Sequence, residues 1–294
     1  MFPADSGGVI MPTTPVIQTI LIFFALLFPG AQSAFAAEQH TLMVRISNSQ
    51  AAYTQTVSIA EDRLFNHVGP VNNKQMLING LLTRDNGIQG LLLLQYQLEL
   101  SGGPGSQGRA IQVQNEVAIR PGDHLTTLEC GPWTVKLALD AKGAEEKKSR
   151  GAAWSPAGLP NYRLTTKVSG GGSVQLCKLI SRAGVQSGVT DSIQQGTRKY
   201  GFIINSLFTP ADDGQGFSLH YQLEHGLNGA AKPLQIQGNE TLTINKKTAI
   251  PGRGYRLEFI LEGKKPAKQA TPKEGARGDS KNEYDREIII CREF

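Results

Sequence analysis

The chain has 294 residues, a net charge of +5 and three cysteines. That length accommodates two domains of ordinary size. The mild positive charge permits attraction to anionic surfaces without requiring it, and no cysteine pair has the C-x-x-C spacing of a zinc or redox centre. Neither a nucleic-acid partner nor a cofactor is expected.

Residues 1–36 read as a secretory signal peptide. An apolar run, Ile20–Phe28, precedes a Pro29-Gly30 break and the small residues Ala34 and Ala36, which fit an A-x-A cleavage pattern. The run is shorter than the ~20 apolar residues that cross a bilayer. No Lys or Arg precedes it and Asp5 is acidic, so an uncleaved anchor is the alternative. Export would place the mature chain in the periplasm or outside the cell. No second long apolar segment follows, so no membrane span is expected after cleavage.

The remainder contains one pattern twice. Leu42–Ser47, Ile78–Thr83, Tyr96–Glu99, Gln112–Glu116 and Ala118–Gly122 are answered in the same order. The answering segments are Leu164–Ser169, Ile204–Thr209, Tyr221–Glu224, Gln235–Glu240 and Ala249–Gly252. The offset stays between 122 and 131 residues, so order is kept while loops change length. This is the signature of an internal duplication. The expected plan is a first repeat at 37–140, a linker at 141–161 and a second repeat at 162–294.

Each repeat reads as strands. Leu92, Leu94, Tyr96 and Leu98 alternate with polar residues, as do Phe217, Leu219, Tyr221 and Leu223. A period of two gives a strand one buried and one wet face. Turn clusters such as Arg84–Gly87, Arg120–Asp123 and Pro210–Gly214 separate the strands. The expected fold is all-β, a tandem pair of antiparallel β-sandwiches. Gly238, matched as an extra residue between Gln237 and Asn239, predicts a bulge.

Two stretches break the rhythm. The Gly-, Lys- and Ala-rich 141–161 reads as the linker. Residues 264–286 carry charges and no apolar periodicity, and read as a mobile insertion before a last strand at 287–291. That last strand is matched to Trp133–Leu137 of the first repeat. In an oxidising compartment, Cys177 and Cys291 share a repeat, so a Cys177–Cys291 disulfide is expected with Cys130 free; three unpaired thiols are the alternative.

Sites of chemistry are scarce. Gly103–Gly108 spells G-x-G-x-x-G, but a strand follows where a dinucleotide site needs a helix N-terminus. In His220–His225 the spacing is wrong for H-E-x-x-H, and on a strand His220 and Glu224 face away from His225, so no metal site is expected. Arg277–Ser280 resembles an adhesion tetrapeptide, which a solvated basic loop explains better. Asn239-Glu240-Thr241 fits a glycosylation sequon, but the signal segment looks bacterial, where that match usually means nothing.

The repeated polar face is the one candidate binding surface. If the Tyr-Gln-Leu-Glu and Gln-x-Gln strands pair, Gln95, Gln97, Glu99, Gln112 and Gln114 line one face, and Gln222, Glu224, Gln235 and Gln237 line its counterpart. Amide side chains offer both donors and acceptors, although the wet face of any half-buried sheet is polar. The expected function is binding rather than catalysis, because no nucleophile–base or paired-acid constellation can be placed. The first reading is a structural or accessory component of a cell-envelope assembly that docks a protein partner. The second is a binder of an anionic or polysaccharide polymer; an enzyme comes third.

Overall fold

The computed structural model describes residues 37–102, 109–140, 159–170, 173–195, 198–211, 216–226 and 234–263. The signal segment 1–36, most of the linker (141–158), the stretch 264–286 and the strand expected at 287–291 with Cys291 lie outside the described residues.

The described residues form strands and no helix. The first eight are β1 (Gln39–Ser47), β2 (Ala52–Ala60), β3 (Leu64–Val71), β4 (Lys74–Arg84), β5 (Leu92–Gly102), β6 (Arg109–Ile119), β7 (His124–Cys130) and β8 (Trp133–Leu139). The next four are β9 (Asn161–Gly170), β10 (Ser173–Arg182), β11 (Gln186–Gln195) and β12 (Arg198–Pro210). The last four are β13 (Phe217–His225), β14 (Leu234–Leu242), β15 (Lys247–Gly252) and β16 (Tyr255–Glu262).

They make two eight-stranded antiparallel sheets. The first runs β15-β16-β9-β10-β7-β8-β1-β2, and the second runs β14-β13-β12-β11-β6-β5-β4-β3. In each sheet the first four strand numbers equal the last four plus eight. The two halves of the chain therefore do not stand apart as beads. They meet along β10–β7 in the first sheet and β11–β6 in the second.

The alternation read from sequence becomes the core between the sheets. Ile78, Leu94, Tyr96, Ile204, Leu219 and Tyr221 are buried, as are Leu42, Val44, Val135, Leu257 and Phe259 from the facing sheet. Contacts cross the interlayer. Tyr221 on β13 packs on Phe259 of β16 with ring centroids 4.8 Å apart, and Tyr162 on β9 meets Phe217 of β13 edge-on at 4.9 Å. Trp133 on β8 donates its indole N–H to Asp191 on β11 at 3.0 Å.

The structure corrects three local expectations. β13 and β14 pair without a register break, with Gly238 opposite Tyr221, so there is no bulge there. In the corresponding hairpin Tyr96 lies opposite Asn115, so Gly238 replaces Asn115 rather than adding a residue. A Cβ on Gly238 would lie 2.8 Å from the Tyr221 hydroxyl, which explains the glycine. The irregularity falls instead in β7, between Thr126 and Leu128.

The turn after Ala118-Ile119 is answered at Asn245, not at Ala249–Gly252. Gly122 N–H bonds Leu139 C=O at 2.6 Å, and Asn245 N–H bonds Leu261 C=O at 2.8 Å, both residues having positive φ. Consequently β16 takes the place that the sequence reading gave to 287–291: Tyr255 pairs with Gly252 as Trp133 pairs with Cys130.

Candidate functional site

The second sheet turns its wet face outward, and the register of its strands arranges that face. Asn66 on β3 stands opposite Asn79 on β4, Asn79 opposite Gln97 on β5, and Gln97 opposite Gln114 on β6. Gln114 stands opposite Gly188 on β11, Gly188 opposite Asn205 on β12, Asn205 opposite Gln222 on β13, and Gln222 opposite Gln237 on β14. One transverse row thus crosses all eight strands. Every position but Gly188 carries a carboxamide. At the usual strand spacing the row is about 34 Å long.

The row passes through the joint between the two halves, and Gly188 is where it does so. A Cβ there would lie 2.6 Å from Asn205 Oδ1. The Asn205 amide leans over the glycine and fills the gap in the row. Asn66, Gln114, Gln222 and Gln237 are exposed, and Asn79, Gln97 and Asn205 are half-buried. Asn79 Oδ1 is buried and has no hydrogen-bond partner among the described residues.

The structure brings together the residues singled out in the sequence, with one refinement. Gln97, Gln114, Gln222 and Gln237 lie in the row itself. Gln112 and Gln235 lie on the same face two residues along β6 and β14, and Gln95 lies on the same face of β5. Gln235 donates to Glu224 at 3.1 Å, and Arg182 pairs with Glu116 beside Gln95. Glu99 and Glu224 share this face, while the row itself carries no charge.

Sequence reading missed Asn66, Asn79 and Asn205. Two signals were available: their residue type, since Asn is depleted in strand interiors, and the repetition of Asn79 as Asn205 in Ile78–Thr83 and Ile204–Thr209. At one end of the row the face sinks into a depression of about 470 Å³ lined by Asn205, His220, Gln222, Gln237 and Asn239. At the other end Asn66 lies on an edge strand between Leu64 and Val68, whose side chains are exposed.

A second polar cluster lies where β1 begins. The His40 ring bonds Asp140 Oδ2 through Nδ1 at 2.6 Å and Glu61 Oε1 through Nε2 at 3.0 Å. Burial alone would push the imidazole down, but the two carboxylates outweigh it and hold His40 above its usual range. Glu61 is likewise penalised by burial, and Arg84 with His40 holds it below the ordinary carboxylate range. Glu38, His40 and Glu61 converge closely enough to suggest metal ligands. Arg84, however, bonds both Glu61 and, at 2.7 Å, Glu38, so a guanidinium already neutralises this set. It is an ion-pair network tying β1 to β4 and to the end of β8.

His220 and His225 fall on opposite faces, as their spacing requires. His220 is exposed, whereas His225 is buried with Ser173 Oγ 3.1 Å from its Nε2. Comparison with protein families, with curated proteins and with solved structures finds no match in any of the three.

Proposed function

We propose that this is an exported, non-enzymatic binding or structural protein of a bacterial cell envelope, whose working surface is the outer face of the second sheet. On this reading residues 1–36 direct export to the periplasm or beyond. Two tandem copies of one eight-stranded unit then join edge to edge into a single platform. The eight-fold shift in strand order and the repeated sequence segments support the duplication.

One observation carries the functional reading: the carboxamide row runs across both halves and ends on an open edge strand between two exposed apolar side chains. A wet face needs only polarity, which Thr or Lys supplies equally well. Seven amides in one register supply matched donors and acceptors over a length far greater than a small-molecule site needs. Leu64 and Val68 add apolar contact at the β3 end, which suits an envelope protein as partner.

A polysaccharide is the second reading, favoured by the neutrality of the row. Amides can bond a hydroxyl-rich polymer without a net charge. An anionic polymer would instead engage basic side chains elsewhere, with strong salt dependence.

The test is the quadruple variant Gln97→Thr, Gln114→Thr, Gln222→Thr, Gln237→Thr beside the native protein. Each is used to capture envelope extracts and to co-sediment with neutral polysaccharides at low and high salt. The native protein should retain a stoichiometric envelope protein that the variant loses. Salt-insensitive glycan binding lost in the variant selects the second reading. Equal behaviour of both proteins overturns the face as the working surface.

A further inference from the structure

The two halves meet in the first sheet over a short ladder. β10 pairs with β7 at three positions only: Cys177 with Cys130, Lys178 with Glu129, and Leu179 with Leu128. The two cysteines of the described residues therefore face each other across the joint. Both are buried, with Cys130 0% and Cys177 2% exposed, and both are free thiols.

The hydrogen bonding fixes the kind of pair they form. Gly131 N–H donates to Leu176 C=O at 3.1 Å. That bond belongs to the residues flanking the cysteines, so Cys130 and Cys177 form a non-hydrogen-bonded pair. In such pairs the Cα atoms stand about 4.5 Å apart and the side chains are closest. That separation falls within the range that disulfides span, roughly 4.4–6.8 Å.

The shift of strand numbers by eight adds an independent argument. It places β15 where β7 stands and β2 where β10 stands. Gly252, opposite Tyr255, then corresponds to Cys130, opposite Trp133. Gln55, opposite Val44, corresponds to Cys177, opposite Thr166. Those counterparts lie on strands at the open ends of the first sheet, and neither is a cysteine. Cysteine occupies these two positions only where they face each other.

We propose that Cys130 and Cys177 form a disulfide that rivets the two halves of the sandwich together, leaving Cys291 as the unpaired thiol. This reverses the Cys177–Cys291 pairing expected from sequence, and it rests on the export reading for its oxidant. The reaction is thiol–disulfide exchange. One cysteine thiolate attacks the disulfide of a dithiol oxidant or of oxidised glutathione, forming a mixed disulfide and releasing one oxidant thiolate. The second cysteine attacks the mixed disulfide, forming the internal bond and releasing the other oxidant sulfur as a thiolate. Two protons leave the cysteines and two electrons reduce the oxidant.

Burial, the neighbouring Cys130 and the carboxylate of Asp191 push the Cys177 thiol well above its ordinary range in the folded protein. Exchange therefore belongs to folding, before the core closes over the sulfurs.

The test is peptide mapping of non-reduced protein, alkylated before unfolding, from two sources. One is protein recovered from an exporting host. The other is reduced, full-length protein refolded in a glutathione redox buffer. The expected result is a Cys130–Cys177 linked peptide, two hydrogens lighter than its reduced parts, with Cys291 alkylated. Reductant should lower the melting temperature of the native protein and of Cys291→Ser, and should leave Cys130→Ala and Cys177→Ala unmoved. A bond to Cys291 in either sample, or three free thiols after refolding, overturns the proposal. A Cys130–Cys177 bond formed in the refolding buffer but missing from host protein supports the geometry and overturns export instead.

Discussion

Gly188 and Gly238 are both glycines at crowded points of the second sheet, yet they are crowded by different things. A methyl at Gly188 meets the tip of Asn205, which can swing away. A methyl at Gly238 meets the Tyr221 ring, 3.1 Å from Cζ, and that ring is held against Phe259. Gly238→Ala should therefore cost about 1–3 kcal/mol of overpacking in denaturant titration. Gly188→Ala should change stability by under ~1 kcal/mol while displacing the Asn205 amide and weakening whatever the row binds. Equal losses for the two variants would contradict this distinction.

His40 carries a prediction of the same scale with a sign that can be worked out. Its folded pKa is raised, so its contribution is full below the unfolded value near 6.5 and is lost as pH rises through the folded value. Glu61 is lowered, so its contribution is present above the unfolded value and is lost as pH falls through the folded one. Stability should thus fall on both the alkaline and the acid side of the window between them. In His40→Gln the alkaline fall should disappear from melting curves recorded against pH, while the acid limb remains. The Tyr96 phenol, buried in the core, is pushed up to about 12 by burial. Truncating it to Ala should cost ~3–5 kcal/mol, as for other large buried aromatics.

Most individual strands were legible because a period of two survives in a single sequence wherever one face is buried. Leu92–Glu99 and Phe217–Glu224 are of this kind. The last strand of the second half was misplaced for a local reason. The run Ile288-Ile289-Ile290-Cys291 resembles a core strand by composition, whereas β16 hides Leu257, Phe259 and Leu261 between charged residues. The turn before β15 compounded this, because Asn245 does the work that Gly122 does in the first half, and only geometry equates them. The four glutamines of the row were legible from repetition. Asn79 and Asn205 repeat as well, at the second positions of Ile78–Thr83 and Ile204–Thr209. Their alignment with the glutamines, like that of Asn66, depends however on pairings across β3–β4, β4–β5 and β12–β13 that no local pattern specifies.

The open edges give an element-scale prediction. Pro251 in β15 occupies the position held by Glu129 in β7, and Glu129 belongs to the hydrogen-bonded pair that faces β10. Pro251 therefore presents its missing N–H to the open edge, where a further strand would look for a donor. Pro70 lies on β3, the edge strand of the second sheet at the other end of the molecule. Restoring the donor with Pro251→Thr, alone or with Pro70→Thr, should raise self-association measured by light scattering. An unchanged monomer at high concentration would show that the prolines are incidental.

At the scale of the whole molecule, the sequence named two sandwiches and gave no sign that they share their sheets. Pairing between halves is a matter of edge complementarity, which leaves no periodic trace. The consequence for unfolding is direct. With a joint in each sheet and one continuous core, residues 37–263 should unfold in a single calorimetric transition, with calorimetric and van't Hoff enthalpies in agreement. Two resolved transitions would mean that the joint is weaker than either half.

The antiparallel order of the first sheet also settles where the described strands begin and end. β1 and β16 are five strand positions apart, and strand directions alternate throughout, so they run in opposite senses. The start of β1 and the end of β16 consequently open on the same rim of the sandwich, about 24 Å apart at ordinary strand spacing. The carboxamide row lies across the strands of the other sheet. Tension applied between Gln39 and Glu262 would enter through interior strands of the first sheet, and the sheet that carries the row would stand outside the path of the load.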